Sequence, residues 1–391
     1  MPDARNLFGG ERTMKKNGLF SLLAVVVLLS SLLAACATPT PAATTAPAAT
    51  EPPAAAATEP PAAATEPPAP ATAEPAPTAT EPPEPIKIRL IYHPTIGGTT
   101  AIAIAEAYGM FEEEGLEIQY QRFTSGPPEI AAMVAGRADI GFIGSGAAWL
   151  AFRGDVNIIA LDNLALTDEV IAKKSSGIET IEDLRGKTIA TQLGTAGENI
   201  LNLVLKKAGL TPADVTIVNM DNNNLASAII STGSEGVDAI AGWQPGTTAV
   251  LEALGDDGIK LASNADFPED AFPSVWVANK DFVKNNPEAV QKFVNALTRA
   301  QAYRAENMQE ACEWASEKAG QAANDLYTQI PFAIWPNGAE MKAYYYDGGF
   351  VAMLENLRAN QIAGGKITEA EIKPLEEVFI DVFAKNATAD Y

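Results

Sequence analysis

Histidine and cysteine are nearly missing from this chain, basic residues are scarce, and its conspicuous apolar run is too short to cross a bilayer. One histidine, His93, and two cysteines, Cys36 and Cys312, stand among 391 residues. That leaves no clustered Cys and His ligands for a zinc site, so no metal and no cofactor is expected. Lys and Arg number 27 against 49 Asp and Glu, a net charge of −22. Such a balance argues against a nucleic-acid partner and against an electrostatic hold on an anionic membrane. The apolar stretch over residues 19–33 falls short of the roughly 20 residues a spanning helix needs.

What surrounds that stretch gives it a different meaning. Lys15 and Lys16 precede it and Leu33-Ala34-Ala35-Cys36 ends it, the positive, apolar and small-residue order of a secretory signal. The junction resembles a bacterial lipoprotein signal, with Met14 the more natural start. The resemblance implies that residues 1–35 are removed and that Cys36 takes a diacylglycerol. The protein is then expected on the extracytoplasmic face of the cell membrane, held by its lipid, and Cys312 has no intrachain disulfide partner. Residues 37–85 comprise 18 Ala, 15 Pro, 10 Thr and 6 Glu, with Ala-Thr-Glu-Pro-Pro recurring four times. Proline removes backbone donors and every apolar group is small, so 36–85 reads as a disordered stalk without a core.

Residues 86–391 carry 41 acidic and 23 basic residues and are long enough for two domains with real cores. Period-two alternation over 86–92 predicts a strand, broken at Pro94 and Gly97-Gly98 before an Ala/Ile-rich helix. The same strand, loop, helix order recurs at 116–135 and 138–149. It restarts from Glu179, with strands over 187–191, 215–218 and 237–241. Such alternation predicts an α/β chain of parallel sheets with helices on both faces. Two crossings, near 173 and 272, place 86–173 and 272–391 in one lobe and 174–271 in the other.

The run from Ala103-Ile104-Ala105-Glu106-Ala107-Tyr108-Gly109-Met110-Phe111 to Gly115-Leu116-Glu117-Ile118 resembles the opening of ABC-transporter solute-binding proteins of the nitrate, alkanesulfonate, taurine and thiamine-precursor group. Gly136-Arg137-Ala138-Asp139-Ile140-Gly141-Phe142, Glu182-Asp183-Leu184-Arg185-Gly186-Lys187, Val237-Asp238-Ala239 and Val275-Trp276-Val277 follow in the same order. The resemblance implies a two-lobed type II periplasmic-binding-protein fold, each lobe a sheet flanked by helices, joined by two crossing segments. It also implies a monomer that closes on a small-molecule solute and delivers it to an ABC permease and its ATPase.

In open α/β sheets ligands bind beyond the carboxyl ends of strands, where loops enter helices with unpaired N–H groups. Four loops qualify, and their ligand candidates are Thr95, Gly97 and Thr99; Ser125 and Gly126; Ser145 and Gly146; Thr195 and Ala196. Glycine admits a ligand close to backbone, and Ser or Thr adds a hydroxyl donor. Together with helix dipoles they suit an oxyanion without a basic side chain. The same residue types also serve as ordinary turns and N-caps. Trp243 and Gln244, ending a strand of the second lobe, are candidates for a cleft wall.

His93, Trp149, Trp276 and the cluster Asn222-Asn223-Asn224 have structural explanations at least as good as functional ones. Alkanesulfonate-like anions rank first as solute, with nitrate also possible. A zwitterion such as taurine needs a carboxylate as well, for which Asp162, Asp221 and Asp270 are positional candidates. A pyrimidine or flavin precursor prefers aromatic walls. An enzyme is disfavoured, since the candidate loops offer no lysine or cysteine and at most one histidine. A sensor for a membrane kinase is a rival that the sequence does not separate.

Overall fold

The computed structural model describes residues 84–387 except 167, 232–235, 269 and 271. The signal, Cys36, the stalk up to residue 83 and the Ser234-Glu235 link lie outside the described residues. Eleven strands form two sheets: β1 (Ile86–Tyr92), β2 (Leu116–Arg122), β3 (Ile140–Ile143), β4 (Asn157–Ala165), β5 (Asp168–Lys173), β6 (Thr188–Thr191), β7 (Thr216–Asn219), β8 (Ala239–Trp243), β9 (Gly258–Ser263), β10 (Pro273–Ala278) and β11 (Ala333–Ile334). The first sheet runs β11-β4-β10-β3-β1-β2 and the second β7-β6-β8-β5-β9.

Neighbours β2-β1-β3 and β7-β6-β8 are parallel, whereas β10 and β5 run antiparallel to both neighbours. The expectation of parallel sheets is corrected at β11, antiparallel to β4, and at these two strands. Both are crossing strands, and a chain leaving the carboxyl end of β4 or β9 enters the other lobe from the cleft side and runs away from it. The first crossing also comes earlier than expected: β5 pairs with β8 and β9, so residues 168–173 belong to the second sheet. Hence the amino ends of β5, β10 and β11 share the cleft with the carboxyl ends of the remaining strands.

Alternation gives each sheet two apolar faces. Ile91, Ile143, Val275 and Val277 face one way in the first sheet, while Leu90, Phe142 and Trp276 face the other. In the second, Val170 and Ala172 oppose Ile171, and Ile189 and Ala241 oppose Ala190 and Ile240. The helix Pro287–Glu306 covers the Trp276 side of the first sheet, and Gly349–Ala363 the other. Fully buried Arg304 pairs with Asp162 Oδ1 at 2.9 Å. The same carboxylate accepts from Trp276 Nε1 at 2.8 Å and Gln301 Nε2 at 3.1 Å. Trp276 is thereby a core residue, and so is Cys312, buried on the helix Met308–Ala319.

Candidate functional site

Loops from both lobes surround a cleft that encloses about 110 Å³, room for a solute of a few heavy atoms. Three helices point their N-termini at it: Ile96–Ala107, Gly126–Val134 and Ala196–Lys207. Thr95 caps the first, its Oγ1 accepting from Gly98 N at 3.2 Å. At Gly97 a Cβ would stand 2.8 Å from Asn163 Oδ1, the tip of another side chain of the cleft. Ser125 makes no capping bond; its Oγ accepts from Gln192 Nε2 at 2.9 Å, leaving its hydroxyl hydrogen for a ligand. Gly126 sits where a Cβ would come within 2.4 Å of Ala147 Cβ. Ser145 Oγ is buried on the cleft wall with no partner among the described residues. Thr195 donates its hydroxyl to Gln192 O at 2.6 Å, so its free contribution is the helix N-terminus that it opens.

Trp243 and Gln244 line the same cleft, as do Phe142 and Phe332. Asn222 holds the Trp243 loop: its Nδ2 donates to Trp243 O and its Oδ1 accepts from Trp243 N, both at 3.1 Å. Asn222 is therefore a positioning residue, while Asp221 caps the turn through Asn223 N at 2.9 Å. His93 lines the floor with Nε2 2.7 Å from Oε2 of the wholly buried Glu129. Burial raises the Glu129 carboxyl above its usual range, and the His93 contact opposes that shift.

Two candidates have other work. Thr99 is fully buried in its helix and donates to Thr95 O at 2.7 Å, the back-bond that a hydroxyl makes one turn into a helix. Gly146 lies against the other lobe, where a Cβ would meet Ala196 N and the Thr195 carbonyl carbon at 1.9 Å. Around it the lobes are joined by the Lys366–Glu198 ion pair, by Trp149 Nε1 to Gly194 O at 3.4 Å, and by Asn360 Nδ2 to Asp270 Oδ1 at 2.6 Å. None of the three carboxylates named from sequence as candidates for a zwitterion lines the cleft. Asp162 is spent on Arg304, Asp221 caps a turn and Asp270 binds Asn360. It is Asp168, the first residue of β5, that lines the cleft. Burial pushes its carboxyl up to about 6, with Asn264 opposing and Glu169 adding to the rise. Asn163, Ser274 and Gln329 also line the cleft and were not among the expected residues.

This geometry defines a two-lobed α/β binding protein of the type II periplasmic class. Residues 98–311 match the NMT1/THI5-like family, and the chain belongs to it. A Brucella abortus protein named only as a binding protein is 30% identical over 299 residues, 76% of this chain and 92% of its own length. The taurine-binding periplasmic protein of Escherichia coli is 30% identical over 205 residues, covering 51% of this chain and 61% of that protein. Among solved structures, the periplasmic aliphatic sulphonate binding protein SsuA of Escherichia coli superposes with a TM-score of 0.55 at 20% identity, over 75% of this chain and 92% of that one.

Proposed function

We propose that the protein is the solute-binding component of an ABC importer, capturing a small organic oxyanion of the sulfonate class and passing it to a permease. One observation carries this reading: three helix N-termini meet at a cleft whose lining, among the described residues, includes neither Lys nor Arg. Backbone N–H groups and helix dipoles hold an anion without a basic side chain, and Ser125 and Ser145 add hydroxyls. The taurine-binding relative supports the same class. Attachment through a lipid on Cys36 would keep the protein near its permease at raised effective concentration, and two acyl chains hold where one is marginal. Replacing Cys36 by Ser should abolish fatty-acid labelling and release the protein from the membrane.

A heterocyclic solute is the second reading, favoured by the aromatic side chains of Phe142, Trp243 and Phe332 around the cleft. Thermal shift of the purified protein against sulfonates, nitrate, bicarbonate, pyrimidines and flavins separates the two. Stabilisation by a sulfonate supports the first reading. A shift with a heterocycle and none with any oxyanion overturns it.

A further inference from the structure

The cleft is lopsided in its hydrogen-bonding character. Donors come from the helix N-termini, but other side chains of the cleft present acceptors that the protein leaves wholly or partly unused. Asp168 is 5% exposed, and its Oδ2 takes one bond, from Asn264 Nδ2 at 2.7 Å. Among the described residues no Lys or Arg pairs with it. Gln329 Nε2 donates to Gln321 Oε1 at 2.8 Å and to Asp325 O at 3.3 Å, which fixes the amide and leaves its buried Oε1 without a partner. Asn163 Oδ1 is buried with no partner among the described residues as well. All three side chains line the cleft. Leaving a buried carboxylate with one donor and two buried amide oxygens with none is costly, unless a ligand brings the missing donors.

Resting on the sulfonate reading above, we propose that the solute carries an N–H-bearing head, an ammonium or amino group, which docks on Asp168 and Gln329 while its oxyanion lies at the helix N-termini. The β5–β8 register sets Asp168 opposite Trp243, whose indole gives a cationic head an electron-rich neighbour. Asp168 thus selects amino-sulfonates over plain alkanesulfonates.

Calorimetry at pH 7.5 with taurine and ethanesulfonate, which differ by one amino group, tests this on the purified protein. A charge-assisted hydrogen bond to a buried carboxylate predicts taurine tighter by about tenfold or more. In Asp168→Asn, with a cooperative melt as the folding control, the gap closes to within about threefold. Ethanesulfonate binding as tightly as taurine, or a gap that survives in Asp168→Asn, overturns the inference. If neither sulfonate binds, the sulfonate reading falls and 4-aminopyrimidine against pyrimidine decides. An amino preference lost in Asp168→Asn sustains the inference, and no preference overturns it.

Discussion

Replacing Gly146 by alanine places one methyl group between the lobes. The added Cβ would stand 1.9 Å from Ala196 N and the Thr195 carbonyl carbon and 2.3 Å from Thr195 O. These are backbone atoms at the start of a helix and have no rotamer to yield, so relief requires the two loops to part by more than about an ångström, given a carbon contact of roughly 3.5–4 Å. Overpacking of this kind costs about 1–3 kcal/mol. The clash crosses the lobe boundary and falls on the packed arrangement alone, and hinged binding proteins hold their ligand in that arrangement. Affinity should therefore drop by roughly 5- to 150-fold, with the melting temperature of the ligand-free protein little changed. Calorimetry with the best ligand of the panel, beside a thermal melt, reads both quantities. Unchanged affinity would refute the reasoning, and so would a lowered melt with normal binding, which would make Gly146 a residue of one lobe's own packing.

Three other perturbations follow from the same contacts. Asp168 has its carboxyl raised from 3.8 to about 6 in the folded protein, so its contribution to stability is present below pH 4 and lost as pH rises through 6. Asp168→Asn should accordingly stabilise the empty protein at pH 7.5, by up to about 3 kcal/mol, and the difference should vanish near pH 4; a variant less stable at pH 7.5 sinks that account. Asn222→Ala leaves the Trp243 N–H and carbonyl without partners, at about 1–3 kcal/mol each; both urea stability and affinity should fall, and an effect on neither removes its positioning role. Asp162→Ala strands the buried Arg304 guanidinium and should cost about 3–5 kcal/mol in urea unfolding; a loss under about 1 kcal/mol would mean that water reaches the pair.

The strand, loop and helix rhythm was legible because each parallel unit is local: β1, the Thr95 loop and the helix after it are adjacent in the chain, and alternation and caps report on neighbours. Thr95, Gly97, Ser125, Gly126, Ser145, Thr195, Ala196, Trp243 and Gln244 all line the cleft because the carboxyl ends of parallel strands lie there. Asp168 was not legible for the same reason. It begins an antiparallel strand, and its place depends on β5 joining β8 and β9, pairings with residues some 70 to 95 positions away. Gln329 and Phe332 come back to the cleft only because β11 pairs with the end of β4. Thr99 resembled Thr95 in sequence, and only the helix phase sends its hydroxyl back to a carbonyl.

The central claim is that an oxyanion sits at the helix N-termini between the lobes. Anomalous scattering from sulfur in crystals grown with taurine tests it most directly. The account predicts a sulfur peak in the cleft beside Ser125, Ser145 and the Thr195 loop, with Gly146 still packed on Ala196. A ligand sulfur located outside the cleft, or inside it against Asp168 with the amino group at the helix N-termini, would contradict it.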